Sequence, residues 1–234
     1  MGLRSFKRRV VMSIKLFIEA ITKFTLGVVL VGLLLFIPAG TIKYYNGWLL
    51  MCLLFIPMFI AGIIMMIKSP DLLKKRLNIK EKQGEQKQVV VLSGLMFLIG
   101  FIIAGLNYRY KWIELSNLVV IIGSITLIIS YIMYAIVLME NEFLSRTIEA
   151  QKNQKVIDTG LYSVVRHPMY LVTIFLFLSI ALVLNSLITF IIFLVYPFII
   201  VKRIKNEEQV LEKELEGYKE YKKKVKYRLI PLIW

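Results

Sequence analysis

The sequence predicts an all-α protein that crosses a membrane about six times. Of its 234 residues 58% are apolar and the mean hydropathy is +0.72, so the chain carries more apolar surface than a soluble core can bury. The apolar residues form long uncharged runs between short basic segments, and a helix needs about 20 such residues to cross a bilayer. The same composition excludes disordered, collagen-like and disulfide-scaffold proteins.

Six apolar runs are the candidate spans, four of them long and two short. The two short runs have 16 and 15 residues and are separated only by Asn185-Ser186, so we expect a tight helical hairpin there. Both are below the length of a straight span, which leaves open whether they cross fully. The six runs are 24–39, 47–67, 89–107, 116–139, 169–184 and 187–201.

The basic residues predict the orientation of the chain. Of the 30 Lys and Arg residues, 27 lie on one side of the predicted membrane and three on the other, alternating with every crossing. Because cytoplasmic loops carry the excess of basic residues, both termini are predicted to be cytoplasmic. The net charge of +15 follows from this bias and does not indicate a nucleic-acid partner. The basic segments are 1–23, 68–88, 140–168 and 202–234, and the three residues opposite are Lys43, Arg109 and Lys111.

Residues 1–23 are predicted to form an amphipathic helix that lies on the inner membrane surface. Apolar residues recur there at helical spacing, and the charged residues lie off that stripe. A solvated basic tail is the alternative. A basic stretch of this length with Glu19 inside it is not typical of a cleaved signal peptide. The apolar residues are Phe6, Val10, Ile14, Phe17, Ile18 and Ile21.

The single cysteine and the single histidine limit the chemistry. Cys52 lies inside an apolar run, so it has no internal disulfide partner and is a poor candidate for a nucleophile. One cysteine and one histidine, His167, do not provide an ordinary zinc ligand set, so we expect no metal.

The polar residues that need an explanation lie in the C-terminal third. Residues 159–170 read TGLYSVVRHPMY, and Glu207-Glu208 follow 40 residues after His167. The two legs of the predicted hairpin are each ~24 Å long at 1.5 Å per residue. The hairpin therefore returns the two glutamates to the level of Arg166 and His167. From the residues alone, a ligand site and a set of interfacial anchors with surface ion pairs both remain open.

This pair of motifs resembles the isoprenylcysteine carboxyl methyltransferase and phospholipid methyltransferase superfamily. The resemblance covers roughly residues 140–234 and includes NEF at Asn141–Phe143 and RLIP at Arg228–Pro231. It implies an integral membrane methyltransferase that uses S-adenosylmethionine (SAM) and acts on a membrane lipid or lipid-anchored acceptor. The chain is then one domain, 1–234, in which 24–139 form four transmembrane helices and 140–234 form a cofactor-binding core with a cytoplasmic C-terminal helix.

The family's site residues can be matched by position to residues of this sequence, and the resemblance therefore also implies which residues form the site. Arg166, His167 and Glu207 are the expected catalytic residues, and Arg203 matches an arginine near the substrate. Either or both of Glu207 and Glu208 are expected to contact the cofactor. The expected cofactor contacts are Gln154, Lys155, Val156, Ile157, Tyr162, His167, Pro168, Met169, Tyr170, Glu207 and Glu208.

These side chains suit the chemical groups of SAM. Arg166 can hold a carboxylate in two-pronged fashion, a glutamate can accept from an ammonium or a ribose hydroxyl, and tyrosine faces suit adenine and a sulfonium. Two alternatives remain. An NADPH-dependent membrane reductase carries a similar Arg-His-Pro-x-Tyr, although no Gly-rich phosphate turn is present. A transporter or scaffold would need polar groups at mid-membrane. High Ile and Lys usage weakly favours a prokaryotic cell membrane.

Overall fold

The computed structural model describes residues 2–78, 84–145 and 154–234, without the side chains of residues 2–13 and Glu85. Throughout these ranges the chain is helical, with short connections and no strand, which confirms the predicted all-α class. The helices are α1 Gly2–Ala39, α2 Tyr45–Lys68, α3 Pro70–Leu77, α4 Gly84–Tyr110, α5 Asn117–Glu140, a 3₁₀ turn Gly160–Ser163, α6 Pro168–Val183, α7 Leu187–Phe193, α8 Tyr196–Glu214 and α9 Tyr218–Lys224.

Within the described ranges, five helical segments are long and apolar enough to cross a membrane, and α6 is a shorter apolar helix of 16 residues. The predicted six apolar helical segments are therefore present, and the first leg of the hairpin is the one too short for a straight span. The second leg, α7 with α8, continues well past the predicted end at residue 201. The five segments are Ile14–Ala39, Tyr45–Lys68, Gln86–Tyr110, Asn117–Glu140 and Leu187–Glu214.

The N-terminal helix differs from the prediction. Helix α1 runs without a break from Gly2 to Ala39, so the expected boundary at residue 23 is absent. The physical reason is that no proline and no glycine occurs between Gly2 and Gly27, and nothing else there interrupts the backbone ladder. Among the residues with described side chains, the apolar span already includes Ile14, ten residues before the expected start.

The turn predicted at Asn185-Ser186 is confirmed. Asn185 adopts a left-handed backbone with φ of +57°, and its Oδ1 accepts from the Leu115 backbone N–H at 2.6 Å. Ser186 then caps α7 by accepting from the Thr189 N–H. The second leg is broken between α7 and α8 instead of forming one helix, because Pro197 in the first turn of α8 has no N–H to donate.

Helix α6 is held inside the bundle chiefly by α5. The two backbones approach closely at Gly123, where a Cβ would lie 2.6 Å from Leu182 Cβ. Leu127 and Ile180 are fully enclosed in the same apolar core. Since α6 begins at Pro168, this packing fixes the position of the Arg166-His167-Pro168 motif relative to the bundle.

The connections gather at two opposite ends of the bundle. At one end Lys23 Nζ donates to Leu77 O and Lys75 Nζ to Glu142 O. At the other end Tyr108 OH donates to Lys43 O, and Asn46 Nδ2 donates to Val183 O near the hairpin tip. The end that holds Lys43 is the end with few basic residues.

Both termini are expected to face the cytoplasm, because the basic residues concentrate at the end that carries α3 and α9. Reporter fusions after Trp234 and within the loop at Lys43 should therefore report opposite sides of the membrane. Signals from the same side would refute the assignment of six crossings.

Candidate active site

A buried carboxylate, Glu208, connects the Arg-His-Pro motif to the C-terminal segment. Glu208 is only 2% exposed, and its Oε1 accepts from Arg166 Nε at 2.7 Å and lies 3.2 Å from His167 Nε2. Its Oε2 accepts from Arg228 Nε at 3.0 Å and lies 3.8 Å from Lys222 Nζ. Both carboxylate oxygens are thus occupied by side chains of the protein itself.

The main chain strengthens the same junction. The Arg166 and His167 N–H groups donate to Tyr227 O and Arg228 O, each at 2.9 Å. Arg166 Nη1 donates to Val225 O and Lys226 O at 2.7 and 2.8 Å. Arg166, which is 6% exposed, therefore uses its Nε and Nη1 donors to hold the C-terminal segment in place, and these two donors are not available to clamp a ligand carboxylate.

The neighbouring carboxylate, Glu207, faces a different direction. Its Oε2 accepts a short hydrogen bond from the Tyr170 hydroxyl, and that hydroxyl accepts from Arg203 Nε at 2.8 Å. The Arg203 guanidinium also lies 5.8 Å from the centre of the Tyr170 ring. Adjacent helical positions point about 100° apart, so Glu208 faces the protein interior and Glu207 faces the cavity described next.

One large cavity of about 1430 Å³ opens beside this site. Helix α8 contributes a stripe at helical spacing, formed by Tyr196, Ile200, Arg203 and Glu207, whereas α2 contributes the continuous run 57–67. Its polar part contains Arg166, His167, Tyr170 and Glu207, and the rest of its wall is mostly apolar. The cavity therefore joins a polar end at the level of the motif to an apolar region among the membrane spans.

A side of the cavity is built by residues 154–157, the 3₁₀ turn and α9. Tyr218, Tyr221 and Val225 form a small core with Val156, Leu211 and Leu215, as the helical spacing of the C-terminal tyrosines predicts. Tyr221 OH donates to Tyr162 O at 2.8 Å, whereas the buried Tyr218 hydroxyl has no hydrogen-bond partner among the described residues.

The phenols on this side of the cavity stay neutral. Burial raises the pKa of the Tyr218 hydroxyl above the usual phenol range, and the nearby Glu208 and Glu207 raise it further. Burial also raises the pKa of Tyr162, an effect that the Asn141 side chain partly offsets. Both tyrosines thus remain hydrogen-bond donors at physiological pH.

The 3₁₀ turn that carries Tyr162 is held by Glu140 at the end of α5. Gly160 has a left-handed φ of +53°, and a Cβ there would lie 2.1 Å from Glu140 Oε1. Glu140 Oε2 accepts from the Leu161 N–H at 3.0 Å. Only glycine fits between this carboxylate and the turn.

Gly160→Ala is expected to destabilise the protein by at least about 1–2 kcal/mol, the cost of a left-handed backbone alone. The clash with Glu140 adds to this cost. Thermal unfolding in detergent measures the effect, with Gly94→Ala as the control because a Cβ at Gly94 meets nothing within 4 Å. Equal unfolding midpoints for the two variants would contradict this description of the turn.

The structure brings together most of the residues named from the sequence. Pro168 does not line the cavity, because it is buried in the first turn of α6. Glu208 does not line it either, because its carboxylate is enclosed by protein side chains. Sequence reasoning missed Lys23 and Arg76, which lie in the wall, and no local motif distinguishes them. The named residues that do line it are Gln154, Lys155, Val156, Ile157, Tyr162, Arg166, His167, Met169, Tyr170, Arg203 and Glu207.

Comparison with known proteins agrees with the resemblance seen in the motifs. The model of the isoprenylcysteine carboxyl methyltransferase (ICMT) family matches residues 118–213, from the start of α5 to the end of α8. No curated protein sequence matches the chain. The matched region contains the Arg-His-Pro motif, the hairpin and both glutamates, but ends before the RLIP sequence. Residues 118–213 are therefore an ICMT-family region within an all-helical chain that carries membrane-spanning segments.

Proposed function

We propose that the protein is an integral membrane methyltransferase that uses SAM to methylate a lipophilic or lipid-anchored acceptor. The main support for this proposal is that the cavity is continuous: a polar end with Glu207 and His167 joins an apolar region among the membrane spans. A water-soluble methyl donor and a membrane-borne acceptor need just such a pair of adjoining environments.

The residues at the polar end fit SAM. The Glu207 carboxylate can accept from the ammonium group or from ribose hydroxyls, and the Tyr170 ring offers a face to a cation. The Tyr218 hydroxyl, buried and without a partner in the part of the chain that the structure describes, is the type of group that a bound ligand can satisfy. Segment 154–157 with Tyr162 offers a mostly apolar wall suited to adenine.

The size of the cavity supports two ligands. Sites for one small molecule usually measure about 300–1,000 Å³, and this cavity is larger, at about 1430 Å³. Its far end is aromatic, with the Phe97 and Phe177 rings 4.7 Å apart and Phe177 and Tyr196 4.6 Å apart. Phe177 is ten residues after His167 on α6, so the apolar region extends ~15 Å below the polar site.

The protein's contribution to the reaction is chiefly alignment and exclusion of water. SAM, when bound, supplies an electrophilic methyl group on a sulfonium. Methyl transfer is an in-line displacement, so residues that orient donor and acceptor and keep the site dry provide much of the rate. An acceptor carboxylate needs no base. An amine or hydroxyl acceptor loses a proton, for which His167 and Glu207 are the groups in the cavity wall that can accept it.

The hydrogen bonds of Arg166 and Arg203 are relevant to the choice between SAM and NADPH as the ligand. A reductase that binds NADPH needs several cations free for its phosphates. Two donors of Arg166 are engaged by Glu208 and by backbone carbonyls, and Arg203 donates to Tyr170. Arg166 and Arg203 are thus engaged by protein partners, while Lys23, Arg76 and Lys155 also line the cavity, so ligand binding has to distinguish SAM from NADPH.

Calorimetry of the detergent-purified protein tests the proposal, with SAM, S-adenosylhomocysteine and NADPH as separate ligands. We expect binding of SAM and S-adenosylhomocysteine and none of NADPH. Transfer of radiolabelled methyl to extracted lipids or to prenylated peptides in liposomes then identifies the acceptor. Binding of NADPH alone, or methylation of only small water-soluble acceptors, would overturn the proposal.

A further inference from the structure

We propose, resting on the function proposed above, that Glu208 is a positioning residue that keeps a proton on Nε2 of His167. In the neutral form of the ring, Nδ1 is then the hydrogen-bond acceptor that faces the cavity. The ligand group bound at this point is accordingly a donor, either an ammonium or a hydroxyl. Glu207 and Glu208 thus have separate tasks, with Glu207 facing the ligand and Glu208 acting through the imidazole.

The surroundings of Glu208 determine which ring nitrogen carries the proton. Glu208 Oε1 lies 3.2 Å from His167 Nε2, and Arg166, Arg228 and Lys222 place three cationic groups within 3.8 Å of the two carboxylate oxygens. Three cations keep a carboxylate ionised, and an ionised carboxylate can only accept hydrogen bonds. Nε2 of His167 is therefore the donor in this contact.

The other ring nitrogen opens on the cavity. The His167 ring has no second hydrogen-bond partner among the described residues, and Nδ1 is not one of the enclosed polar atoms that lack a partner. His167 is 5% exposed and lines the cavity, so the accessible polar atom of its ring is Nδ1. A neutral imidazole has one donor and one acceptor nitrogen, which leaves the lone pair at Nδ1.

Backbone contacts fix the position of His167 beside the C-terminal segment. The His167 N–H is bonded to Arg228 O, Pro168 follows at the start of α6, and the Tyr170 ring lies 5.7 Å from the imidazole. With Nδ1 and the Glu207 carboxylate, the polar end of the cavity offers two acceptors. This pairing selects for the ammonium and hydroxyl groups of a methyl donor and against a phosphate.

Because His167 is the only histidine, its ring signals need no residue assignment, and Nδ1 and Nε2 are distinguished by their couplings to different ring carbons. We would label histidine with ¹⁵N, reconstitute the protein in liposomes and record solid-state NMR spectra, raising the pH until the ring is neutral. The expected neutral form has the proton on Nε2. Addition of S-adenosylhomocysteine should move the Nδ1 resonance and leave the Nε2 resonance nearly unchanged.

Glu208→Gln tests the part played by the carboxylate. It should weaken the hydrogen bond at Nε2 and shift both the Nε2 nitrogen and its proton. Glu214→Gln is the matched control, since Glu214 lies exposed on the same helix and does not line the cavity. It should shift neither signal.

Three results would overturn the assignment: a neutral ring with the proton on Nδ1, an unchanged Nε2 signal in Glu208→Gln, or a ligand-induced shift at Nε2 instead of Nδ1. If Glu208→Gln does not fold, the tautomer of the wild-type protein and its titration with ligand still test the assignment of the proton to Nε2. Failure of the proposed function is recognised separately, because wild-type protein would then bind no S-adenosylhomocysteine in calorimetry. In that case the proposal that a donor group of SAM binds at Nδ1 would be wrong, whichever ring nitrogen carries the proton.

Discussion

Replacing Arg166 with alanine is expected to lower the free energy of unfolding by about 3–5 kcal/mol, the usual effect of removing one partner of a buried ion pair. Arg166 and Glu208 have side chains only 4% and 3% exposed, so water does not replace the guanidinium at Oε1, although Arg228 and Lys222 still contact Oε2. The variant also loses the two hydrogen bonds to Val225 O and Lys226 O. For a chain of this size the unfolding midpoint should fall by roughly 6–20 °C.

Thermal unfolding in detergent measures this effect, and Lys224→Ala is the control. Lys224 also belongs to an ion pair, with Asp158 at 2.7 Å, but that pair is exposed to solvent, and such pairs contribute little. The control should unfold close to the wild-type midpoint. An Arg166→Ala protein of normal stability that no longer binds SAM would instead support a direct clamp on the ligand.

Replacing Glu207 with glutamine is expected to weaken SAM binding roughly ten- to a hundredfold, the loss of one charge-assisted hydrogen bond at about 1.5–3 kcal/mol. Stability should change little, because the glutamine carbonyl can still accept from Tyr170 in place of the carboxylate. Calorimetry with SAM gives the affinity, and thermal unfolding without ligand gives the stability.

Glu212→Gln serves as the control for the charge change, since this carboxylate lies outside the cavity wall. Its SAM affinity should equal that of the wild type. Normal SAM affinity in Glu207→Gln would leave the contact between Glu207 and Tyr170 as structural support and would remove the main reason to place the donor beside it.

The position of the site could be predicted from lengths alone. Equal legs on either side of Asn185-Ser186 return Glu207 and Glu208 to the level of the Arg-His-Pro motif, and the structure places Glu208 3.2 Å from His167. The break before Pro197 did not disturb this, because Leu187–Glu214 still forms one apolar segment long enough to cross a membrane and Tyr196 OH donates to Thr173 Oγ1 at 3.2 Å. The rise per residue is nearly constant along a helix, so the number of residues in each leg predicts the level to which the chain returns.

The direction of each side chain was harder to predict. Arg166 was expected to hold a ligand carboxylate, yet Glu208 and two backbone carbonyls occupy its Nε and Nη1. These partners lie 42 to 60 positions away in the sequence. A motif read in isolation contains no information on which distant group meets it.

The sequence by itself determined the all-α class, the six apolar helical segments and the hairpin turn, because apolar runs in lipid must satisfy their backbone hydrogen bonds internally and therefore form helices. It also placed the polar residues at one end, since segments of known length connect them. Only the tertiary structure decided that Glu208 faces inward and Glu207 faces the cavity. The reason is that rotation of α8 about its axis is set by packing against residues 225–228 and the Arg-His-Pro motif, contacts that exist only in the folded chain.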